Sequence, residues 1–212
     1  MYPKSFLFLL LAFLLPLISV AQDSIKEIFV AYSIVKGSRV TINGSTNINE
    51  FSCFTESSTF TSPIKISPTP EKEIVAIDNG ILKIRSEALD CGNVVMNKNL
   101  CTTMKSEQYP YIIVEVNEVH AADGKVISAN QDLTIKFYLT LAGRKKLNTV
   151  KVKMVNEGGG NYHFTGSHKI LLSSYGLEPP KAFFGLITVS DLITVQFDLM
   201  IHVEDNHAMQ AN

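Results

Sequence analysis

The chain has 212 residues, of which 46% are hydrophobic and 18% are charged, and its formal net charge at pH 7 is −1. A chain of this length can bury one sizeable hydrophobic core. The near-neutral charge, without a block of Lys and Arg, argues against a nucleic acid as the partner, because phosphate binding depends on clustered cations.

The amino terminus has the pattern of a secretory signal peptide. Lys4 precedes an unbroken apolar run from Phe6 to Ile18, and an A-x-A-like cleavage site ends at Ala21. We therefore predict that residues 1–21 are removed after export. The alternative is an uncleaved membrane anchor, but the apolar run is shorter than the roughly 20 residues that a bilayer span requires. We expect a periplasmic or secreted protein with no stable membrane span after cleavage.

The first segments of the mature chain are typical of paired strands. Ala31–Val35 and Ser38–Ser45 flank Lys36-Gly37, which we interpret as a two-residue hairpin with glycine supplying a positive φ. A third strand is predicted from about Glu50 to Phe60. Alternation of apolar and polar residues in these segments indicates strands that are buried on one face.

Prolines interrupt the next segment. Pro63, Pro68 and Pro70 predict an extended connection rather than a strand, since each removes an amide donor from any ladder. Asp78-Asn79-Gly80 is typical of a turn, and Ile81–Ala88 then resumes as a strand. This part of the chain is therefore predicted to contain one connection, one turn and one strand.

The apolar period changes between Cys91 and Pro110, where it favours a short amphipathic helix. The Gln108-Tyr109-Pro110 segment is expected to end this helix. We place it over an opening or a side of the sheet, where its methionines either pack or form a pliable wall for a ligand. The residues on its apolar face are Met96, Leu100, Cys101 and Met104.

The second half of the chain has the longest alternating segments. The last one, Ile193–Val203, is about twice the usual strand length of about 5 to 6 residues. Gly143 and Gly158-Gly159-Gly160 are typical of turns between such strands. The other predicted strands of this half begin near Tyr111, Asp132, Val150 and Asn161.

Counted together, the elements predict an all-β fold with one short helix and about eight, mostly antiparallel, strands. Neither an internal repeat nor a linker divides residues 22–203, so we expect one barrel domain, followed by a polar tail at residues 204–212. Eight strands closed into a barrel leave room for side chains or for one slim ligand.

The sequence contains no pattern that predicts catalysis, a metal site or a cofactor. His163 and His168 are five residues apart on a predicted strand, so they point to opposite faces and cannot share a metal ion. Neither a G-x-S-x-G elbow nor an H-E-x-x-H helix is present. The three cysteines, Cys53, Cys91 and Cys101, predict one disulfide and one free thiol in an exported protein, but their spacing does not choose the pair.

The predicted inward faces are almost wholly aliphatic and aromatic, which leaves two interpretations open. In one, these side chains simply fill the barrel. In the other, they line a dry tube for an apolar chain, with each buried CH₂ contributing about 0.8 kcal/mol.

Four segments, in this order and spacing, resemble the YceI-like proteins, which are exported lipocalin-like barrels regarded as polyisoprenoid-binding. They are INGSTNINEFSC (Ile42–Cys53), LDCGNVVMNKNLCTTMKSEQYPYIIVEV (Leu89–Val116), LTLAGRKKLNTVKV (Leu139–Val152) and SSYGLEPPKAFFGLITVSDLITVQFDL (Ser173–Leu199).

The resemblance implies an elongated eight-stranded antiparallel barrel with a helix near one end. It also implies that Cys53 pairs with Cys91, which leaves Cys101 as the free thiol. Many members have an arginine and an acidic residue where this chain has Leu172 and Ser174, and many begin with a tryptophan strand that is missing here. These departures bear on the ligand rather than on the fold.

From the pattern and the resemblance together we expect a non-enzymatic protein that holds an isoprenoid or fatty-acyl chain, with its polar head near the mouth. The alternatives are a filled barrel that acts as an envelope interaction module and an enzyme of unrecognised type, and a homodimer is kept open. The predicted wall residues are Leu133, Ile135, Phe137, Leu139, Val152, Met154, Phe164, Ile170, Val195 and Phe197. The predicted lid or mouth residues are Met96, Leu100, Met104, Phe183 and Phe184, the last two in a loop that also contains Pro179 and Pro180.

Overall fold

The structure is a computed structural model that describes residues 28–56, 61–68, 74–124 and 130–204. The predicted signal peptide and all but the first residue of the predicted polar tail lie outside the described residues. Twelve strands and one α-helix are present in the described part. The strands are β1 (Ile28–Ile34), β2 (Arg39–Ser45), β3 (Glu50–Glu56), β4 (Thr61–Pro68), β5 (Ile74–Arg85), β6 (Tyr111–Ala121), β7 (Gln131–Leu141), β8 (Arg144–Gly158), β9 (Asn161–Leu171), β10 (Lys181–Ala182), β11 (Ile187–Thr188) and β12 (Leu192–Glu204); the helix is α1 (Val94–Thr103).

Ten of these strands form one antiparallel sheet that closes on itself. The hydrogen-bonded order is β1-β4-β5-β6-β7-β8-β9-β12-β2-β3, and β1 also pairs with β12, which completes the ring. The strands β1 and β2 pair with successive parts of β12, so together they occupy one strand position. The strands β4 and β3 pair with β1 and β2, respectively, so together they occupy the next position. The barrel therefore has eight positions, and the predicted all-β fold with one helix is confirmed.

The predicted hairpin at Lys36-Gly37 is wrong. Both β1 and β2 run antiparallel to β12, so the chain keeps its direction through this segment. Lys36 and Gly37 form an outward bend, and Gly37 has a φ of +102°. Ser38 closes the bend, since its buried Oγ lies 2.8 Å from the Val35 carbonyl oxygen and accepts a hydrogen bond from the Met200 amide at 2.9 Å.

Two further local predictions are wrong, because both segments belong to strands. Asp78-Asn79-Gly80 lies inside the continuous strand β5, where the register against β6 shifts between Ala76 and Gly80. The proline-containing segment forms β4, with Pro63 opposite Ala31 of β1. The β5 pairing of β4 begins only at Lys65, so Pro63 has one strand neighbour and its missing amide donor costs little.

The predicted helix is present as α1, but it is shorter than expected. The Asn93 side chain caps its amino terminus by accepting hydrogen bonds from the Val95 and Met96 amides at 2.9 and 3.2 Å. The helix ends at Thr103 instead of continuing to Gln108, because Lys105 adopts a φ of +54°, which a right-handed helix cannot include.

The inner face of the barrel contains glycines under aromatic rings. A Cβ atom on Gly166 would lie 2.5 Å from the Phe197 ring and 2.9 Å from the Lys151 carbonyl oxygen. A Cβ atom on Gly44 would likewise lie 2.4 Å from the Phe51 ring. In both pairs the ring belongs to the residue directly opposite on the neighbouring strand, so glycine provides the space in which an inward aromatic lies flat against the sheet.

Candidate functional site

One end of the barrel is closed by packed side chains. We call it the helix end, because it carries α1, the β7–β8 turn at Ala142-Gly143 and the connection from Leu172 to Asp191. Apolar side chains of the connection, of the segments before and after α1 and of the adjoining strand ends are almost completely buried there, which makes this end a plug rather than an open mouth. They are Leu89, Met104, Ile112, Leu141, Leu172, Tyr175, Leu177 and Ile193, with exposed fractions between 1% and 8%.

Away from the plug, inward side chains on facing walls stay partly exposed. The strands β6 and β12 lie four positions apart in the ring, so they form opposite walls. Inward residues on and beside these walls contact the core on one side without being fully buried. They are Val114, Val119, Ile135, Tyr162, Phe164, Val195 and Phe197. Apolar surface that remains accessible inside a barrel is what an apolar ligand would cover.

A cavity of about 340 Å³ opens into this interior. Small-molecule sites typically have volumes of about 300–1,000 Å³. Its inner wall is mainly aliphatic, and its outer lip carries charged side chains. The inner-wall residues are Ile34, Ser38, Val40, Thr55, Leu82, Ile84 and Leu199, and the lip residues are Arg39, Glu56, Lys83, Arg85, Ala88 and Tyr111.

This cavity lies at a slot in the sheet. Among the residues that the structure describes, Gly80–Arg85 of β5 pairs with β6 on one side only, and β3 pairs with β2 but not with β5. At the helix end, the slot is closed by backbone hydrogen bonds in both directions between Phe54 and Asp90, at 2.9 and 2.8 Å. The disulfide between Cys53 and Cys91 lies directly beside this bridge.

The disulfide confirms the pairing that the family resemblance implied. Cys53 is 1% exposed and Cys91 is partly buried, and Cys101 is the free cysteine. Because Cys91 follows β5 and precedes α1, the bond ties the start of the helix to β3. The disulfide therefore marks the end of the slot that lies nearest the helix end of the barrel.

The lip of the slot has an excess of positive charge. Arg39 forms an ion pair with Glu56, and its guanidinium lies 4.8 Å from the centroid of the Phe54 ring. The guanidinium of Arg85 lies 5.7 Å from the centroid of Tyr111, and Lys83 is exposed. Among the described residues, neither Lys83 nor Arg85 has a carboxylate partner.

A small polar network interrupts the apolar interior beside the plug. His168 Nε2 donates a hydrogen bond to Asn148 Oδ1 at 3.1 Å, and Asn148 Nδ2 donates one to the Tyr175 hydroxyl at 2.9 Å. The His168 ring also meets Phe137 edge to face, with 5.5 Å between centroids. Burial lowers the pKa of His168 below its usual range, so the ring is neutral at pH 7, and burial raises the pKa of the Tyr175 hydroxyl despite its bond to Asn148.

The predicted wall residues all belong to the inward registers, but they differ in burial. Leu133, Phe137, Leu139, Val152, Met154 and Ile170 are buried in the core, with exposed fractions of 1–7%. The remaining four, Ile135, Phe164, Val195 and Phe197, are partly exposed inside the barrel. The second group, rather than the first, could contact a ligand without rearrangement of the core.

The predicted lid residues do not form one surface. Met104 is buried in the plug, while Met96 and Leu100 are partly buried on α1. Phe184 is fully exposed and has a φ of +57°, and the side chain of Phe183 lies outside the described residues. The structure places the slot and its cavity between β3 and β5, away from this loop.

Sequence reasoning missed the residues of the slot, including Lys83, Arg85 and Leu199. The alternation of Leu82 and Ile84 with Lys83 and Arg85 is visible in the sequence, and it predicts one apolar and one charged face. It does not show that the strand has a free edge, because that depends on where β3 separates from β5.

A larger concavity of about 770 Å³ lies on the outer face of β2, β12, β9, β8 and β7. Its side chains are mostly polar and carry charges of both signs, including Arg39, Asp132, Lys153 and Asp198. Across the strands, Asp198 lies opposite Arg39 and Asp132 lies opposite Lys153, so neighbouring charges offset each other. This groove therefore does not offer an apolar chain a place to bind.

Within the described ranges, no group of three or more His, Cys, Asp and Glu side chains is placed to hold a metal ion. In the same part of the chain, no helix is both long enough and apolar enough to span a bilayer.

A closed antiparallel barrel with a partly exposed apolar interior is the architecture of small-ligand-binding barrels. Comparison with protein families makes this more specific: the model of the YceI-like domain matches residues 24–201. The chain therefore belongs to the YceI-like family. Comparison with curated proteins found no match.

Solved structures with the same fold are distant in sequence. BcnA from Burkholderia cenocepacia is 16% identical, with a TM-score of 0.57 over 77% of this chain and 95% of BcnA. A polyisoprenoid-binding domain from Saccharophagus degradans, implicated in plant cell wall breakdown, is 14% identical, with a TM-score of 0.58 over 82% of this chain and 99% of that domain. At these identities the similarity establishes the fold alone.

Proposed function

We propose that this chain is an exported, non-enzymatic lipid-binding protein that holds an isoprenoid or fatty-acyl chain inside its barrel. The observation that carries the proposal is the cavity between β3 and β5, whose inner wall is formed by aliphatic residues such as Leu82, Ile84 and Leu199. Membership of the YceI-like family and the similarity in fold to a polyisoprenoid-binding domain support it. The apolar run before Ala21 supports export to the periplasm or the medium.

The binding mechanism would be burial of apolar surface in a largely preformed cavity. Each methylene group transferred from water contributes about 0.8 kcal/mol, so ten buried methylenes would contribute about 8 kcal/mol before the cost of ordering the chain is subtracted. Partly exposed residues such as Phe164 and Val195 extend the apolar surface beyond the cavity. A ligand that follows them would lie along the barrel axis.

The direct test is to express the full chain with its amino-terminal segment in a bacterial host, purify it from the periplasm, and analyse it by native mass spectrometry. We expect a mass above that of the polypeptide, and release of a lipid by organic extraction. Leu199→Trp would place an indole in the cavity and lower the bound fraction several-fold. Met200→Trp, the adjacent residue on the opposite face of β12, should retain the lipid.

The other candidate is an interaction module with a filled barrel. It is favoured by three strongly exposed apolar side chains in neighbouring loops, Ile48 (67%), Phe184 (109%) and Leu186 (75%). The loops are joined, because Asn47 Nδ2 donates a hydrogen bond to the Leu186 carbonyl oxygen at 2.9 Å. A lipid-free protein in the mass-spectrometric experiment, unaffected by Leu199→Trp, would favour this module over the lipid carrier.

A further inference from the structure

The slot between β3 and β5 places apolar and cationic groups on the two sides of one strand edge. Leu82 and Ile84 point to the cavity, while the intervening Lys83 and the following Arg85 are exposed on the outer face. Successive residues of a strand are about 3.3 Å apart, so the two kinds of group are separated by little more than the thickness of the sheet. An amphiphile could therefore bury its chain while its head remained at the lip.

The charges at the lip are unequal. The ion pair with Glu56 offsets the charge of Arg39, whereas Lys83 and Arg85 have no carboxylate partner among the described residues. The ring of Tyr111 supports the guanidinium of Arg85 at 5.7 Å. Two uncompensated cations at the opening of an apolar cavity favour an anionic ligand group over a neutral one.

The free strand edges add hydrogen-bond donors. Because β5 from Gly80 to Arg85 is paired only with β6, every second amide of this segment points towards the slot. The same holds for β3, which pairs with β2 alone within the described strands. Carboxylate and phosphate oxygens accept hydrogen bonds from such amides, which a hydrocarbon cannot do.

We propose that the slot between β3 and β5 is the entrance of the cavity, and that it selects amphiphiles with an anionic head, a carboxylate or a phosphate monoester, bound by Lys83 and Arg85. This inference rests on the proposed lipid-binding function and adds the head group and the route of entry. It places the polar head at the side of the barrel, whereas from the sequence we expected it near a mouth formed by α1 and the Phe183–Phe184 loop.

Displacement of a neutral fluorescent probe, N-phenyl-1-naphthylamine, tests the inference on the mature full chain. The competitors are dodecanoate with dodecanol and farnesyl monophosphate with farnesol, so that each anion is compared with the alcohol of the same chain type. Exposed ion pairs are individually weak, and we therefore expect each anion to bind about tenfold more tightly than its alcohol. The preference should decrease at high salt, because screening weakens exposed charges.

The decisive variant is Lys83→Gln combined with Arg85→Gln. We expect it to bind the alcohols as the wild type does and to lose the preference for the anions. The matched control is Lys151→Gln combined with Lys169→Gln, which removes the same charge from exposed positions on β8 and β9. A thermal unfolding curve verifies that both double variants are folded.

Each result bears on the inference. Equal binding of anion and alcohol by the wild type, or an anion preference that survives in the Lys83 and Arg85 variant, would overturn the anionic-head assignment and leave lipid binding intact. Failure of all four competitors to displace the probe would overturn lipid binding and the assignment together. An anion preference in only one of the two pairs would support the assignment and narrow it to the anionic amphiphile of that pair.

Discussion

At the scale of single residues, the interior of this barrel is defined by a few polar groups with fixed partners. Ser38 holds the bend between β1 and β2, and His168, Asn148 and Tyr175 form a short chain beside the plug. The amide of Asn148 determines the tautomer of His168, because an amide oxygen can only accept and His168 Nε2 must therefore donate. A neutral His168 leaves the interior without a formal charge at this point.

The depressed pKa of His168 predicts a dependence of stability on pH. The unfolded chain binds a proton at about pH 6.5 and the folded chain only at lower pH, so stability contributed by the neutral ring is lost as the pH falls through this range. We expect His168→Gln to lose less stability than the wild type between pH 7.5 and 5.5 in urea unfolding. A wild-type slope in His168→Gln would contradict the prediction.

At the scale of secondary-structure elements, the disulfide connects β3 with the segment between β5 and α1. Cys53 lies in β3, and Cys91 lies between β5 and α1, with a sequence separation of 38 residues. The adjacent Phe54–Asp90 hydrogen bonds alone would leave β3 free to separate from α1. The covalent bond therefore restricts the conformations of the unfolded chain. In the folded protein it limits the width of the slot.

Removal of both cysteines, by Cys53→Ala with Cys91→Ala, should lower the free energy of unfolding by about 2–4 kcal/mol, since a loop of this length loses its closure constraint. The same variant should release a bound lipid faster, because the slot can widen. Denaturant unfolding and ligand dissociation kinetics measure the two effects. Cys101→Ala provides the control, and its behaviour should remain close to that of the wild type; equal effects of both variants would count against this role of the disulfide.

At the scale of the whole molecule, the described part of the sheet forms a ring with two interruptions: the slot beside β5, and the helix end of β8 and β9, whose pairing stops at Val152 and Gly166. The β1–β12 pairing completes the ring, and β4 pairs with both β1 and β5. At the slot, β3 stays paired with β2 and leaves Gly80–Arg85 of β5 without a second strand neighbour among the described residues, whereas between β8 and β9 the hydrogen bond from His168 to Asn148 connects the separated strands. The 340 Å³ cavity lies at the first of these two interruptions, the slot.

Amide hydrogen exchange can test this description of the ring. The Phe54 amide donates to the Asp90 carbonyl oxygen at 2.9 Å, whereas the Glu56 amide points in the same direction, past the end of that bridge, into the slot. We expect Glu56 to exchange much faster than Phe54 and faster than Thr55, whose amide faces β2. Equal protection of Phe54 and Glu56 in NMR measurements would show that the slot is closed by strand pairing.

Much of the fold was accessible from the sequence, and particular segments show why. The alternation in Gln131–Leu141 and Leu192–Glu204 predicted long strands with the correct inward faces. Gly143 and Gly158–Gly160, all with positive φ, were correctly identified as turns between strands. These features are local, because strand periodicity and positive φ depend on neighbouring residues only.

The sequence by itself determined the all-β class, the apolar inner face and the short helix, while its resemblance to the YceI-like family supplied the disulfide pairing. Only the tertiary structure decided that Lys36-Gly37 is a bend within one strand position and that Asp78–Gly80 is a register shift. The same turn residues serve hairpins, bends and bulges, and distant partners such as β12 and β6 select among them. For the same reason the slot was hidden from the sequence: a free strand edge is defined by the neighbour that is missing, and Lys83 and Arg85 acquire their position at its lip only when β3 separates from β5.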